Sequence, residues 1–190
     1  MQIDKPTILK FDKPGPRYTS YPTAPEWSAT VKSAAYIERL QQFGASSKTL
    51  SLYAHIPFCE TLCYFCACTM NVRPQEEKYG DEYLDYLCRE IDLIRGHLGT
   101  KKIIRQLHWG GGTPSFLSEA QLQRLFQKIQ ENFEIDFTGE VAIEVDPRRV
   151  TKNKVATLRR LGFNRISIGV QDLDADVQQH INRIGLHSCL

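Results

Sequence analysis

From residue 50 onward, the chain alternates between short apolar runs and longer segments whose apolar residues recur with helical spacing. Four of the apolar runs have the length and composition of strands, and they cover residues 50–56, 103–109, 141–145 and 166–170. A segment with a helical pattern follows each run. Because strand and helix alternate four times, we predict an α/β fold with parallel strands, right-handed crossovers and helices packed outside the sheet.

Three helices can be placed from their apolar faces. The first presents a face made of Leu84, Leu87, Cys88, Ile91, Ile94 and Leu98. The second begins at Ser118, since Ser118 and Gln121 have the spacing of a capping box. The third ends at Gly162, because glycine commonly terminates helices. Cys88 lies on the apolar face of the first helix, so we expect a buried thiol that packs as a small hydrophobic residue.

The first 49 residues differ from the rest of the chain. They show little sustained periodicity and are rich in Pro, Thr, Ser and Tyr. We therefore predict an N-terminal extension over residues 1–49 and a core over residues 50–190. In α/β folds of this kind, functional residues gather at the C-terminal ends of the strands.

Polar or glycine-rich residues follow each predicted strand. Four cysteines within ten residues follow the first strand, and the segment Gly-Gly-Gly-Thr-Pro follows the second at residues 110–114. Glu-Val-Asp-Pro at residues 144–147 follows the third strand, and Gln171 follows the fourth. Packing alone would be satisfied by apolar residues inside the strands. One shared site at this edge of the sheet is therefore the simplest interpretation.

Composition excludes some classes of function. Lys and Arg number 24 and Asp and Glu number 22, which gives a formal net charge of +2 without a long basic run. Nucleic acid and anionic membranes are therefore not expected partners. The sequence shows neither a signal-like segment nor an apolar stretch long enough to span a bilayer, so we expect a cytoplasmic protein.

Cys59, Cys63 and Cys66 form a C-x3-C-x2-C loop directly after the first strand. This close spacing predicts three thiolates on one small inorganic core rather than a disulfide framework. Three ligands are one short for a four-iron cluster, and the missing ligand leaves one iron free to bind a small molecule. Zinc and unligated thiols are the alternatives, but structural zinc usually takes separated pairs of ligands, whereas Cys68 is only two residues beyond Cys66 and no second pair is near. Cys189 has no inferred role.

The cysteine loop resembles the defining motif of the radical S-adenosylmethionine superfamily, in which an aromatic residue precedes the third cysteine, as Phe65 does here. The resemblance implies a [4Fe-4S] cluster on Cys59, Cys63 and Cys66, with the methionine part of S-adenosylmethionine on the open iron. One electron from the reduced cluster then cleaves the cofactor to a radical that abstracts hydrogen from a substrate. The glycine-rich segment at residues 110–114 resembles the second signature of the superfamily, where bare backbone approaches the cofactor.

Four segments resemble the oxygen-independent coproporphyrinogen III oxidase family, and they cover residues 15–24, 52–59, 107–114 and 144–147. This resemblance implies a partial (β/α) barrel of the radical S-adenosylmethionine type, with its first four β/α units in residues 50–190. The family continues through further barrel strands and a C-terminal helical domain. We therefore expect a truncated N-terminal portion, for which family membership and activity are separate questions.

The resemblance also assigns residues to two S-adenosylmethionine molecules in one pocket. One molecule would contact Tyr53, Gly111 and Glu144. The second would contact Phe65, Gly112, Thr113, Gln171 and Arg183. From the residues alone, other interpretations stay open: Tyr53 as a core residue, Glu144 as a polar strand-end turn, and Arg183 as a surface charge on a helical segment.

The N-terminal segment Arg-Tyr-Thr-Ser-Tyr-Pro at residues 17–22 separates this family from related radical enzymes and haem chaperones, which generally lack it and also lack the cysteine at position 68. Both features are present here. Arg17, Tyr18 and Tyr21 would contact the carboxylates of the substrate or cover the mouth of the barrel.

The implied reaction is the oxidative decarboxylation of two propionate side chains of coproporphyrinogen III to vinyl groups, which gives protoporphyrinogen IX in anaerobic haem synthesis. It requires an electron donor and an electron acceptor, and the sequence identifies neither. We expect a monomer. A haem chaperone-like relative and a noncatalytic iron–sulfur-binding fragment are the alternative functions.

Overall fold

The computed structural model describes residues 4–12, 26–28 and 30–184. The chain divides into two compact units, Met1–Ile37 and Glu38–Leu190. Helix α1 (Lys5–Phe11) belongs to the first unit, and Asp4 caps it by accepting a hydrogen bond from the backbone N–H of Thr7 at 2.9 Å. The segment that contains Arg17, Tyr18 and Tyr21 lies outside the described residues.

The second unit is built on a parallel sheet. In chain order its elements are the end of α2 (Ser33–Gly44), β1 (Leu50–Ile56), β2 (Phe58–Cys59), β3 (Asn71–Val72), α3 (Glu77–Leu98), β4 (Ile103–Gly111), α4 (Glu119–Asn132), β5 (Glu134–Val145), α5 (Lys152–Leu161), β6 (Arg165–Ile168) and α6 (Ala175–His180). The four-stranded sheet has the order β1-β4-β5-β6, and every neighbouring pair is parallel. The predicted α/β fold is confirmed.

Burial alternates along the strands and separates the two faces of the sheet. Leu107 and Trp109 of β4 are fully buried, and they belong to one core with apolar side chains of α3, α4 and α5. On β1, Ala54 and Ile56 are buried, whereas Tyr53, which precedes them, is exposed and His55 between them is only partly buried. The helical layer therefore covers one face, and the opposite face carries polar side chains that remain open.

Several element ends match the sequence analysis, and others do not. Strand β1 and the stop of α5 at Gly162, which has a left-handed φ of 96°, lie where they were predicted. Strand β5 begins earlier than predicted, because its pairing with β4 skips from Ile135 to Glu140 and accommodates an irregular stretch between them. The short pair β2 and β3 was not predicted, since two-residue strands leave no periodic signal.

The expectation of a buried Cys88 is wrong. Its side chain is only partly buried, at the edge of the interface between α3 and α4. Arg124 and Lys128 of α4 form ion pairs with Asp85 and Asp92 of α3 along this edge. The charged residues keep the edge hydrated, so the thiol lies where the apolar face ends. No described helix is long and apolar enough to cross a membrane.

Gln121 links the first turns of two helices. Its backbone N–H donates to Ser118 Oγ at 3.4 Å, and its Oε1 accepts from the Ser118 backbone at 3.1 Å, which forms the predicted capping box. Its Nε2 donates to the carbonyl oxygen of Glu77 at 2.8 Å and to Asp81 Oδ1 at 2.9 Å. The side chain therefore caps α4 and joins it to the start of α3.

Replacement of Gln121 by Ala should lower the free energy of unfolding by about 2 kcal/mol, because buried donors and acceptors lose their partners. Gln121 is 4% exposed. The matched control is Gln123→Ala on the exposed side of α4, for which we expect a change within about 0.5 kcal/mol. Urea unfolding followed by circular dichroism measures both values. Equal losses in the two variants would contradict the capping role.

Candidate functional site

An open cleft of about 210 Å³ lies at the C-terminal edge of the sheet. Ten of the eleven residues predicted for the site line this cleft, and they are Cys59, Cys63, Phe65, Cys66, Gly111, Gly112, Thr113, Glu144, Gln171 and Arg183. They come from the ends of all four parallel strands and from the segment after α6. The structure thus brings the separate sequence motifs together, while their binding roles stay predictions.

The pair of short strands β2 and β3 holds both ends of the cysteine loop. Cys59 lies in β2, and its carbonyl oxygen accepts a hydrogen bond from the backbone N–H of Arg73 at 2.9 Å. Within the loop, the N–H of Cys66 donates to the carbonyl oxygen of Cys63 at 3.0 Å. These bonds fold the loop back on itself, so that its three predicted ligand thiols and the exposed Cys68 all line one wall of the cleft.

The thiol of Cys59 holds its proton more tightly than an ordinary cysteine does. Burial, with further contributions from the neighbouring Cys66 and Cys63, raises the pKa of Cys59 to about 11. Among the described residues, no three His, Cys, Asp or Glu side chains converge on a position for a single metal ion. An iron–sulfur cluster suits this arrangement better than zinc, because each thiolate binds a different iron and the three sulfurs need not meet at one point.

Gly111 and Gly112 are required by close approach of the backbone. Gly111 has a φ of 121°, and a Cβ there would lie 2.8 Å from the ring of His55. A Cβ on Gly112 would lie 2.8 Å from the carbonyl oxygen of Phe58. The N–H of Gly112 donates to the Ile56 carbonyl at 2.9 Å, which ties the end of β4 to the segment that leads into the cysteine loop. The glycines therefore have a structural role in addition to the predicted contact with a cofactor.

Glu144 lies at the end of β5 and points its carboxylate along the cleft. Its Oε1 pairs with His108 Nε2 at 3.1 Å, and its Oε2 accepts from the N–H of Gly111 at 3.3 Å. With 43% of its side chain exposed, Glu144 retains accessible acceptor sites. This geometry suits recognition of an ammonium group, which donates up to three hydrogen bonds.

Tyr53 is the predicted site residue that does not line the cleft. Its ring stacks on His108 at 5.8 Å between centroids, and its hydroxyl lies 3.2 Å from His55 Nδ1. Burial raises its pKa, and the charge of Glu144 contributes in the same direction. With 56% exposure, the interpretation of Tyr53 as a core residue is wrong. Tyr53 is connected to the cleft indirectly, because it contacts His108 and His108 in turn contacts Glu144.

Arg183 is buried rather than on the surface, at 9% exposure, so the surface-charge alternative is wrong. Helix α6 ends at His180, and Arg183 therefore lies beyond it rather than in a helix. Its Nη1 donates to the sulfur of Cys63 at 3.3 Å, and its Nη2 lies 3.7 Å from Asp146 Oδ1. The segment around it also contacts the cysteine loop, because Asn182 Nδ2 donates to the Leu62 carbonyl at 2.7 Å.

Asp146 organises the loop after β5. Burial alone would raise its pKa, but hydrogen bonds and charge from Arg148, with a further contribution from Arg183, lower the pKa overall. Its backbone N–H donates to the buried Ser115 Oγ at 3.1 Å. The carbonyl oxygen of Ser115 accepts from Lys154 Nζ at 2.7 Å, and burial lowers the pKa of that amine. The loops after β4 and β5 are thereby fixed to each other.

Sequence reasoning missed His108, Arg148 and the role of Asp146. His108 could have been found from the alternation in β4, where it is the polar residue two positions before the first glycine of the triplet. Arg148 follows Asp146 by two residues, a spacing that allows a local ion pair but does not indicate that Cys63 lies nearby.

Gly111→Ala should lower the free energy of unfolding by about 2 kcal/mol, because it combines a left-handed φ with a Cβ contact on His55. Gly96 in α3 has open space at its Cβ position. Gly96→Ala should therefore raise the free energy of unfolding by about 0.5–1 kcal/mol. Chemical denaturation of both variants tests the pair. If Gly111→Ala leaves the free energy of unfolding unchanged, the backbone at Gly111 is not constrained.

Comparison with known proteins gives consistent matches. Residues 53–188 match the radical SAM superfamily. An oxygen-independent coproporphyrinogen III oxidase of Salmonella typhimurium is 46% identical over 180 residues, which cover 95% of this chain and 38% of that protein. The protein of the same name from Pseudomonas aeruginosa is 41% identical over 183 residues, covering 95% of this chain and 40% of that protein.

The solved structure of coproporphyrinogen III oxidase (HemN) from Escherichia coli, described as a radical SAM enzyme, is also similar. It matches with a TM-score of 0.85 and 41% identity, over 97% of this chain and 41% of that chain. The chain thus spans about two fifths of the length of these relatives. Since the family match covers most of its length and the cysteine loop lies in the cleft, the chain belongs to the radical S-adenosylmethionine superfamily.

Proposed function

We propose that this chain forms the cofactor-binding part of an oxygen-independent coproporphyrinogen III oxidase. In the proposed reaction, two propionate side chains of coproporphyrinogen III lose carbon dioxide and become vinyl groups, which gives protoporphyrinogen IX. The observation that carries the proposal is the convergence of the cysteine loop, the glycine triplet and Glu144 in one cleft. The similarity to relatives of that name over 95% of the chain supports the choice of substrate.

The proposed ligands of a [4Fe-4S] cluster are Cys59, Cys63 and Cys66. When bound, the reduced cluster supplies the electron that cleaves S-adenosylmethionine to a carbon radical, which removes a hydrogen atom from the substrate. Cys68 lines the same cleft and is assigned no ligand role. We place the protein in the cytoplasm, because free thiols of this kind persist in a reducing compartment.

The first S-adenosylmethionine is assigned to Tyr53, Gly111 and Glu144. Glu144 would accept hydrogen bonds from the amino group of the cofactor, and the contacts from Gly111 and His108 already orient its carboxylate. The stacking of Tyr53 on His108 supports that histidine from the open face of the sheet. In this assignment the three residues would bind and orient the cofactor.

A second S-adenosylmethionine is assigned to Phe65, Gly112, Thr113, Gln171 and Arg183. Arg183 offers a guanidinium, which can bind a carboxylate through two parallel hydrogen bonds. Gln171 has a left-handed φ of 67°, and its side chain lines the cleft. The proposed reaction also requires an electron donor and an electron acceptor. The proposed assembly is a monomer.

Reconstitution with iron and sulfide under anaerobic conditions tests the proposal through electron paramagnetic resonance of the reduced chain. We expect a four-iron signal in the wild type that changes when S-adenosylmethionine is added. Cys63→Ala should abolish this signal, because a cluster ligand is lost, whereas Cys88→Ala should keep it, because Cys88 lies between α3 and α4. A signal that ignores S-adenosylmethionine, or that survives in Cys63→Ala, would contradict the assignment.

Glu144→Gln should weaken the binding of S-adenosylmethionine at least about tenfold, or ~1.4 kcal/mol, since the anionic acceptor for the amino group is lost. Glu140 lies on the same strand and pairs with Arg165 at 2.6 Å, so Glu140→Gln is the matched control. Titration of the spectroscopic change with S-adenosylmethionine gives both affinities. Comparable affinities in the two variants would remove Glu144 from the site.

A further inference from the structure

Arg148 is a partly buried cation to which the proposed function assigns no role. Its Nε and Nη2 donate to Asp146, at 2.9 Å to Oδ1 and 2.6 Å to Oδ2. These two hydrogen bonds to one carboxylate fix the position of the guanidinium, and 16% of the Arg148 side chain is exposed. Its Nη2 also lies 3.9 Å from the sulfur of Cys63.

A second guanidinium approaches the same sulfur from another part of the fold. Arg183 donates to the Cys63 sulfur at 3.3 Å and lies 3.7 Å from the same Asp146 carboxylate. Two cations therefore share one anion beside Cys63. The local sum is one positive charge, held in a partly buried environment where screening by solvent is weak.

This arrangement acts on the charge of a bound cluster. A cluster that accepts one electron gains one negative charge on its irons and thiolates. Positive charge and N–H donors next to a thiolate stabilise the reduced form more than the oxidised form, and hydrogen bonds to sulfur are among the factors that set cluster potentials. Both arginines lie beside Cys63, which at 8% exposure is the most buried of the cysteines that the structure describes.

We propose that Arg148, held by Asp146, is a positioning residue that raises the reduction potential of the cluster through Cys63. The inference rests on the proposed cluster site and assigns one of its neighbours. Arg148 has no contact with substrate in this role. Its effect is to make the cluster easier to reduce by the electron donor.

The test is a redox titration of the reconstituted 190-residue chain, followed by electron paramagnetic resonance. For Arg148→Gln, the ratio of reduced to oxidised cluster at a fixed potential should fall about fivefold, which corresponds to ~41 mV for a one-electron couple at 59 mV per tenfold change. Iron content is measured in parallel, because a purely structural role would lower the content and leave the potential unchanged.

The matched control is Arg124→Gln. Arg124 also pairs with an aspartate, Asp85, but on the outer surface between α3 and α4. Arg124→Gln removes the same charge as Arg148→Gln, but it does so outside the cleft. The reduction potential of the cluster should therefore stay at the wild-type value. Arg148→Lys keeps the positive charge but loses the paired hydrogen bonds to Asp146. The reduction potential of its cluster should lie between those of the wild type and Arg148→Gln.

A loaded Arg148→Gln chain with the wild-type potential would overturn this inference and leave the proposed function intact. If Arg148→Gln binds no cluster, the redox titration of Arg148→Lys tests the inference instead. A ratio of reduced to oxidised cluster that falls about twofold supports the inference, and an unchanged ratio overturns it. A wild-type chain that binds no cluster would overturn the proposed function and this inference together. If Arg124→Gln shifts the reduction potential as much as Arg148→Gln does, the inference is also overturned, because the shift would then follow from the net charge of the chain.

Discussion

The contact between the end of β4 and the segment after β1 is the constraint on which the site depends. The N–H groups of Gly112 and Thr113 donate to the carbonyl oxygens of Ile56 and Phe58, at 2.9 and 2.8 Å. These bonds require the two backbones to approach so closely that no Cβ fits at Gly112. The contact fixes where the cysteine loop leaves the sheet. It also places the N–H of Gly111 against Glu144, so two walls of the cleft are set by one junction.

Charged residues complete the site from the remaining strands. Asp146 extends from the third strand end toward Arg148 and Arg183, and both arginines reach Cys63. The loop after β4 is joined to that after β5 through Ser115. The cysteine loop leaves its large apolar side chains exposed, so it is positioned by hydrogen bonds and ion pairs from the segments after β3, β5 and α6. Such a loop keeps its thiols at the cleft without a surrounding hydrophobic core.

Sequence patterns predicted the parts of the structure that depend on periodicity and local chemistry. The limits of β1, the capping box at Ser118 and the helix stop at Gly162 follow from neighbours within a few residues. The gathering of motifs at strand ends follows from parallel topology. The burial of Arg183 could not be predicted, because its partners Cys63 and Asp146 are distant in sequence. The partial exposure of Cys88 likewise depends on ion pairs between two helices.

The two faces of the sheet impose a strict register on the strands. In β1, Tyr53 and His55 face the open side, while Ala54 and Ile56 enter the core. Because side chains alternate with a period of two, an insertion or deletion of one residue within β1 would exchange these sets. It would bring polar rings into the helical layer and displace the cysteine loop from the glycine triplet at the same time. In the evolution of this chain, changes of length are therefore tolerated far better in the exposed turns between helices and strands than in any strand that leads to the cleft.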